Sequence, residues 1–425
     1  MINTILILLI FLILAILMFT KKLPTMLALP ILAVGIAVIA GIPITGEESV
    51  LQLVLHEGAT RMSSAYAAVI FGAWLGQILT QTGISQSIVR FAAELGGDRP
   101  MVVTFLLAAA VAVLFTTISG LGAVIMVGSI VLPILLSFGL PPLAVGGTFL
   151  LSFGIGITIN IANWQFYVDA TGVSLQLVRN FALTLAGFTA LATTAFILIQ
   201  FKKEGRSKYW AKPKFSNNNG NDKKVTKLSI LTPVVPLVMV LVFDWPIIPA
   251  FIMGIIYSMI ALRKPIGKSI DIITKSCYEG ISDVAPVIIL MMGIGMLINV
   301  VFHPTVSQQL EPFLSAVIPS STIGYIAFFS LLAPLALYRG PLNMWGLGSG
   351  IVGLVISLEL LPAPAAMAAF LSTERVQAIG DPTNTHNVWV ANYIDSDVNQ
   401  ILRAVIPYIW SLAAAGVITA TFFYM

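Results

Sequence analysis

The sequence predicts an all-α polytopic membrane protein built from two inverted-topology repeats. Each repeat is expected to hold five spans, one re-entrant hairpin and one broken helix. Three observations carry this. First, 58% of the 425 residues are apolar and only 9% are charged, with a mean hydropathy of +0.98; an average soluble domain is about 25% charged. Second, the apolar residues fall in runs of the length that crosses a bilayer, about 20 residues. Third, the chain resembles itself at an offset near 222 residues. This composition argues against a water-soluble enzyme, a nucleic-acid binder and a disordered scaffold.

Uninterrupted spans are expected at roughly 2–20, 24–42, 63–82, 181–201, 228–243, 247–262, 283–302 and 404–424. The stretches 101–138 and 322–360 are apolar but broken near their centres, by TTISGLG at 116–122 and LYRGPLN at 337–343. Pro and Gly at the middle of an apolar run favour helix–turn–helix hairpins that enter and leave on one side. After each hairpin comes a helix interrupted by polar residues, at 143–168 and 364–392.

The self-resemblance runs through the whole chain. Pro24 matches Pro246, Glu57-Gly58 matches Glu279-Gly280, and Ser85-Gln86 matches Ser307-Gln308. Further on, Gly120 matches Gly340, Pro141 matches Pro362, Gln176 matches Gln400, and the Asn160/Asn163 pair matches Asn384/Asn387. A nearly constant offset defines two repeats, 1–205 and 228–425, joined by a linker at 206–227. Five crossings per repeat is an odd number, so the second repeat is expected upside down, the plan of secondary transporters.

Charge placement agrees. Lys+Arg exceed Asp+Glu by 22 to 18, a net +4. Segment 202–227 holds nine basic residues and two acids, +7, which leaves the rest of the chain at −3. By the positive-inside rule that loop is cytoplasmic, and both termini are then outside. Loop 263–278 carries Arg263, Lys264, Lys268 and Lys275 and is expected inside. Its counterpart, 43–62, carries Glu47, Glu48 and Glu57 against Arg61 and is expected outside, as is 303–321, which has no Lys or Arg. Loop 393–403, expected inside, is the exception, because Asp395 and Asp397 outweigh Arg403. The basic residues of the N-terminal segment follow its apolar run, which favours a retained span over a cleaved signal in the cell membrane. The single cysteine, Cys277, cannot form an intrachain disulfide.

Non-helical backbone at membrane depth is costly unless it is buried in protein or lines a cavity. The hairpin tips and helix breaks are therefore the candidate site. Helix N-termini there offer N–H groups to an anion, and exposed carbonyls with Asn or Ser oxygens suit a small cation. At the first tip the candidates are Thr117, Ser119 and Gly120. At the second they are Arg339, Gly340 and Asn343; Arg339 stands in an otherwise uncharged run, where an Arg marks function by default. Its fork pairs with a carboxylate of substrate or with a structural acid such as Glu374 or Asp381. At the breaks, Asn160 and Asn163 face Thr383, Asn384, Thr385 and Asn387, with Asp381 the candidate ionisable coupling residue. Na+ is the possible bound ion, at Asn160, Asn163, Asp381 and Asn384; no other cofactor is expected. Glu374-Arg375 reads as a buried pair, His386 as a hydrogen-bonding residue or proton carrier, and Trp245 and Tyr408 as interfacial anchors.

The doubled plan, the stretch GAWLGQILTQTGISQSIVRFAAELGG at 72–97 and the two small-polar hairpin tips resemble the ion transporter superfamily. That group includes gluconate, citrate and dicarboxylate permeases and the membrane subunits of tripartite carboxylate transporters. The resemblance implies that Thr117, Ser119, Asn160, Asn163, Arg339, Asn343, Asp381, Thr383, Asn384 and Asn387 form the substrate and cation sites. It also implies a homodimer with an elevator-like motion. Where dicarboxylate members carry Ser-Asn-Thr, this chain has Thr-Ile-Ser-Gly and Arg-Gly-Pro. The resulting expectation is Na+- or H+-coupled symport of a small organic anion within the lipid bilayer, without an enzymatic reaction or nucleic acid. The alternative is a cation/proton antiporter on the same scaffold.

Overall fold

A computed structural model describes residues 2–203 and 225–425. Most of the basic linker, 204–224, lies outside the described residues. Among those described there is no strand. In chain order the helices are α1 (Ile2–Phe19), α2 (Thr25–Ala40), a π-helix (Val50–Glu57), α3 (Gly58–Thr60), α4 (Ser63–Thr82), α5 (Ile84–Gly96), α6 (Pro100–Phe115), α7 (Leu121–Ser137), α8 (Pro142–Ile159), α9 (Ile161–Thr171) and α10 (Leu175–Lys203). After the linker come a 3-10 turn (Lys227–Leu231), α11 (Val234–Val242), α12 (Ile247–Leu262), α13 (Ile266–Phe302), α14 (Pro304–Val317), α15 (Thr322–Leu331), a 3-10 segment (Ala333–Arg339), α16 (Gly348–Ser357), α17 (Ala363–Gly380), α18 (Thr385–Tyr393) and α19 (Val398–Tyr424).

Six of these units are long and apolar enough to cross a membrane, and a bent pair, α14 with α15 at 91°, brings the number to seven. The chain is a multi-pass membrane protein. The breaks appear where Gly, Pro and Asn interrupt apolar runs. α6 and α7 are separated by Thr116–Gly120, with Gly120 in the left-handed region at φ 89. α8 and α9 part at Asn160, and α17 and α18 at 381–384.

Three expectations are corrected. The span expected at 228–243 is a 3-10 turn and the nine-residue α11, only about 14 Å of rise. Pro233 and Pro236 explain this, since each removes a backbone donor. The loop expected at 263–278 is largely the first third of the 37-residue α13. The loops expected at 43–62 and 303–321 are likewise largely helical.

The architectural centre is the crossing of α4 and α13, which run antiparallel. A Cβ on Gly58 would lie 2.6 Å from Met296 Cα, and one on Gly280 would lie 2.8 Å from the Trp74 backbone nitrogen. Only glycine permits backbones this close. The two contacts are reciprocal at the 222-residue offset: Gly58 corresponds to Gly280, and Trp74 to Met296. The polar pairs beside them obey the same relation. Arg61 Nη1 donates to Asn299 Oδ1 at 2.8 Å, and Gln77 Nε2 donates to Asp283 Oδ2 at 2.5 Å. Position 61 corresponds to 283, and 77 to 299.

Candidate functional site

At the first tip the hydroxyls turn back on their own helix. Thr116 and Thr117 donate to the carbonyls of Val113 and Leu114 at 2.7 and 3.3 Å. Ser119 and Gly120 are half-buried just before α7, whose first turn has no side-chain cap. Asn160 joins this tip to the first break. Its Oδ1 accepts from the amides of Ala162 and Asn163 at 3.1 and 3.3 Å, capping α9. Its Nδ2 donates to the Phe115 carbonyl at 3.1 Å and to that of Ile118 at 3.4 Å. Asn163 Nδ2 donates to the Ile157 carbonyl at 3.4 Å.

The second tip is tighter and strained. Tyr338 and Arg339 adopt left-handed φ values of 57 and 58, each costing about 1–3 kcal/mol for a non-glycine residue. Such backbone persists only where its surroundings hold it. Asn343 does so from inside the tip, donating to the Ala336 carbonyl at 3.2 Å and accepting from the Trp345 amide at 2.8 Å. A Cβ on Gly346 would strike the Arg339 carbonyl oxygen at 2.3 Å, so this residue too must be glycine. Arg339 is half-buried, and its Nη1 donates to the Trp345 carbonyl at 3.1 Å. Among the described residues it forms no ion pair.

The second break surrounds a fully buried carboxylate. Asp381 Oδ1 accepts from Thr383 N and Oγ1, both at 2.7 Å, and Oδ2 accepts from the Arg339 amide at 3.4 Å. Asn384 is locked to Gln377, accepting at 2.6 Å and donating to its carbonyl at 2.8 Å. Asn387 Nδ2 donates to the Asp381 carbonyl at 2.9 Å, while its buried Oδ1 has no partner. Thr385 is exposed on the first turn of α18, and His386 Nε2 lies 3.0 Å from the Ala378 carbonyl.

Glu374 and Arg375, 3% and 0% exposed, tie the two breaks together. Arg375 Nη2 lies 2.9 Å from Glu374 Oε1, the expected buried pair, and its Nη1 donates to Thr158 Oγ1 at 2.8 Å, next to the first break. Glu374 also accepts from Trp345 Nε1 at 3.1 Å and from the Tyr167 hydroxyl. The Phe166 ring stacks on Trp345 with centroids 3.9 Å apart. One buried polar cluster therefore joins α8, α9, the second tip and α17. The first tip reaches it through Phe115, Phe153 and His386, whose rings follow one another at 4.8 Å.

The expected residues thus fall into two groups. Asn160 and Asn163 lie with the first tip; Arg339, Asn343, Asp381, Thr383, Asn384 and Asn387 lie with the second. Of the oxygens expected to hold Na+, those of Asn160, Asp381 and Asn384 already accept internal hydrogen bonds. Among the described residues at the second break, the Asn387 oxygen is buried without a partner, which suits a cation ligand. Tyr167, Trp345 and Phe166 were not singled out as linking residues. Their only sequence signal is nearness to a break or tip.

No protein-family model matches the chain, and no curated protein matches it by sequence. Solved structures do match. The YdaH transporter of Alcanivorax borkumensis aligns over 94% of this chain and 97% of its own, at 15% identity and a TM-score of 0.62. MtrF of Neisseria gonorrhoeae, described with a class of antimetabolite efflux pumps, aligns over 94% of each chain at 14% identity and a TM-score of 0.55. The chain has the fold of these membrane transporters.

Proposed function

We propose that the chain is a secondary active transporter moving a small organic anion by alternating access around the joined tips and breaks. The observation that carries this reading is the buried cluster itself. Two arginines, Arg339 and Arg375, stand with Glu374 and Asp381 at paired interruptions of apolar helices. Desolvated groups of both signs at membrane depth mark substrate or ion pathways. Among the described residues the Arg339 guanidinium makes one hydrogen bond, to a carbonyl, and so retains donors for a substrate carboxylate. Gly340, Asn343, Thr383 and Asn384 belong to the same tip and break, and Thr117, Ser119 and Gly120 of the first tip would complete the substrate site. Asp381 and the free Asn387 oxygen would hold the coupling Na+ or H+, and Asn160, Asn163 and Thr385 would complete that site.

The reciprocal antiparallel contacts of α4 and α13 support two inverted repeats, 1–205 and 228–425, whose exchange would move the site across the membrane. A homodimer in the cell membrane with linker 202–227 in the cytoplasm completes the proposal. Likeness to an efflux pump makes outward movement of the anion one arm of the test.

The test is transport by the purified protein in liposomes, with labelled carboxylates and imposed Na+ or pH gradients in both directions. Gradient-dependent movement that Arg339→Ala reduces at least about tenfold supports the reading. Carboxylate movement that is absent, or indifferent to Arg339, overturns it. The second reading, cation/proton antiport, draws on the buried carboxylates Glu374 and Asp381. It expects Na+/H+ exchange without any organic solute, abolished by Asp381→Asn.

A further inference from the structure

The α4–α13 crossing has one end that its internal copy does not explain. The chain enters α3 and α4 through eight residues of π-helix, Val50–Glu57. The corresponding stretch of α13, 272–279, is ordinary α-helix. π-Helical turns are rare and cluster at functional sites, and here the common scaffold does not require one. In this turn the Leu53 carbonyl accepts from the Gly58 amide and also from Asn299 Nδ2, at 2.9 Å. Asn299 in turn accepts from Arg61 Nη1.

A cavity of about 420 Å³ opens at this end, bordered by Glu48, Glu57, Arg61, Asn299, Phe302 and His303. Small-molecule pockets begin near 300 Å³. The Arg61 guanidinium is fixed there on two sides. Asn299 takes Nη1, and the Phe302 ring lies 5.0 Å from Cζ. Yet its Nε is buried with no hydrogen-bond partner. A buried guanidinium N–H left unmet is costly, and the Nε/Nη2 edge is the one that grips a carboxylate with two parallel bonds.

A simple anion would meet repulsion there from Glu57 and Glu48. His303 Nδ1 accepts the Thr305 amide at 3.2 Å, which leaves its Nε2 as the donor facing Glu48, 4.0 Å away. A ligand suited to both halves of the pocket brings its own positive charge.

We propose that this pocket is a second binding site, distinct from the hairpin cluster, for a small zwitterion. Its carboxylate lies on the Nε edge of Arg61 and its ammonium between Glu57 and Glu48. The proposal does not depend on what the hairpin cluster carries.

Calorimetric titration of the full-length protein in detergent tests it. The probes are glycine, 4-aminobutyrate and 6-aminohexanoate, which separate the two charges by increasing lengths, with acetate and methylammonium as half-ligand controls. At least one zwitterion is expected to bind, and neither half-ligand at the same concentrations. Arg61→Lys, which keeps the charge but removes the paired donors, is expected to weaken binding roughly tenfold or more. Glu57→Gln, at an exposed position, is expected to weaken it less, and Arg339→Ala to leave it unchanged. If Arg61→Lys does not fold, Glu57→Gln and Arg339→Ala decide. Failure of all three zwitterions to bind overturns the proposal. So does binding that survives Arg61→Lys, ignores Glu57→Gln, or disappears in Arg339→Ala.

Discussion

The two halves of the chain place a helix break and a crossing helix at matched positions, and each half furnishes them differently. The first break is one neutral residue, Asn160, whose amide closes the turn from both ends. The second is four residues long, holds Asp381, and follows the Glu374–Arg375 pair by nearly two turns. At the crossing, the glycines are shared but the charges are reversed: Arg61 in the first half corresponds to Asp283 in the second. The close-contact glycines match at the crossing, while the charged partners beside them and the helix type at 50–57 and 272–279 do not. Matched positions in the two halves thus carry different chemistry.

The largest expected effect separates the two breaks. Arg375→Ala strands a buried carboxylate on Glu374 and should cost about 3–5 kcal/mol, read as a fall in melting temperature in detergent. Thr158→Val, its first-half partner, should cost nearer about 1 kcal/mol. Equal losses would mean that the charge is not what holds the breaks together. The crossing makes a symmetrical forecast: Gly58→Ala and Gly280→Ala should each destabilise by about 1–3 kcal/mol, because each new methyl meets backbone. A neutral result at either would remove the reciprocity.

Asn160→Ala removes a helix cap and should cost about 1–2 kcal/mol. It should also loosen the first tip, measurable as faster hydrogen exchange at 115–120, while 338–343 is unaffected. The smallest contrast is between corresponding amides. Asn299→Ala exposes a buried mismatch and should cost about 1–3 kcal/mol; Gln77→Ala, whose bond to Asp283 is exposed, should stay within about 0.5 kcal/mol. Thermal unfolding of the two variants side by side checks this.

The helix breaks of the candidate site were legible because they are written locally. Gly120, Asn160 and Asp381-Pro382 interrupt apolar runs, and an Arg at 339 stands out against its neighbours. The offset of 222 was readable because Glu-Gly recurs at both crossing helices. What stayed hidden depends on residues distant in the chain. The π-helix is accompanied by Asn299, 246 positions from the carbonyl it satisfies. Tyr167 finds Glu374 across 207 positions, so no window around either shows the link. The segment 228–243 is largely apolar, so hydropathy alone does not show that the helix changes from 3-10 to α at Pro233.

α13 rises about 55 Å over its 37 residues, nearly twice the hydrocarbon thickness of about 30 Å. α2, packed against it, has 16 residues and reaches only about 24 Å. A long mast beside a short post cannot both suit one flat sheet of lipid. The mast must lean or stand proud, and the lipid must dip beside the post. A mismatch of this size is expected to thin the bilayer beside the pair, and thicker bilayers should resist it most.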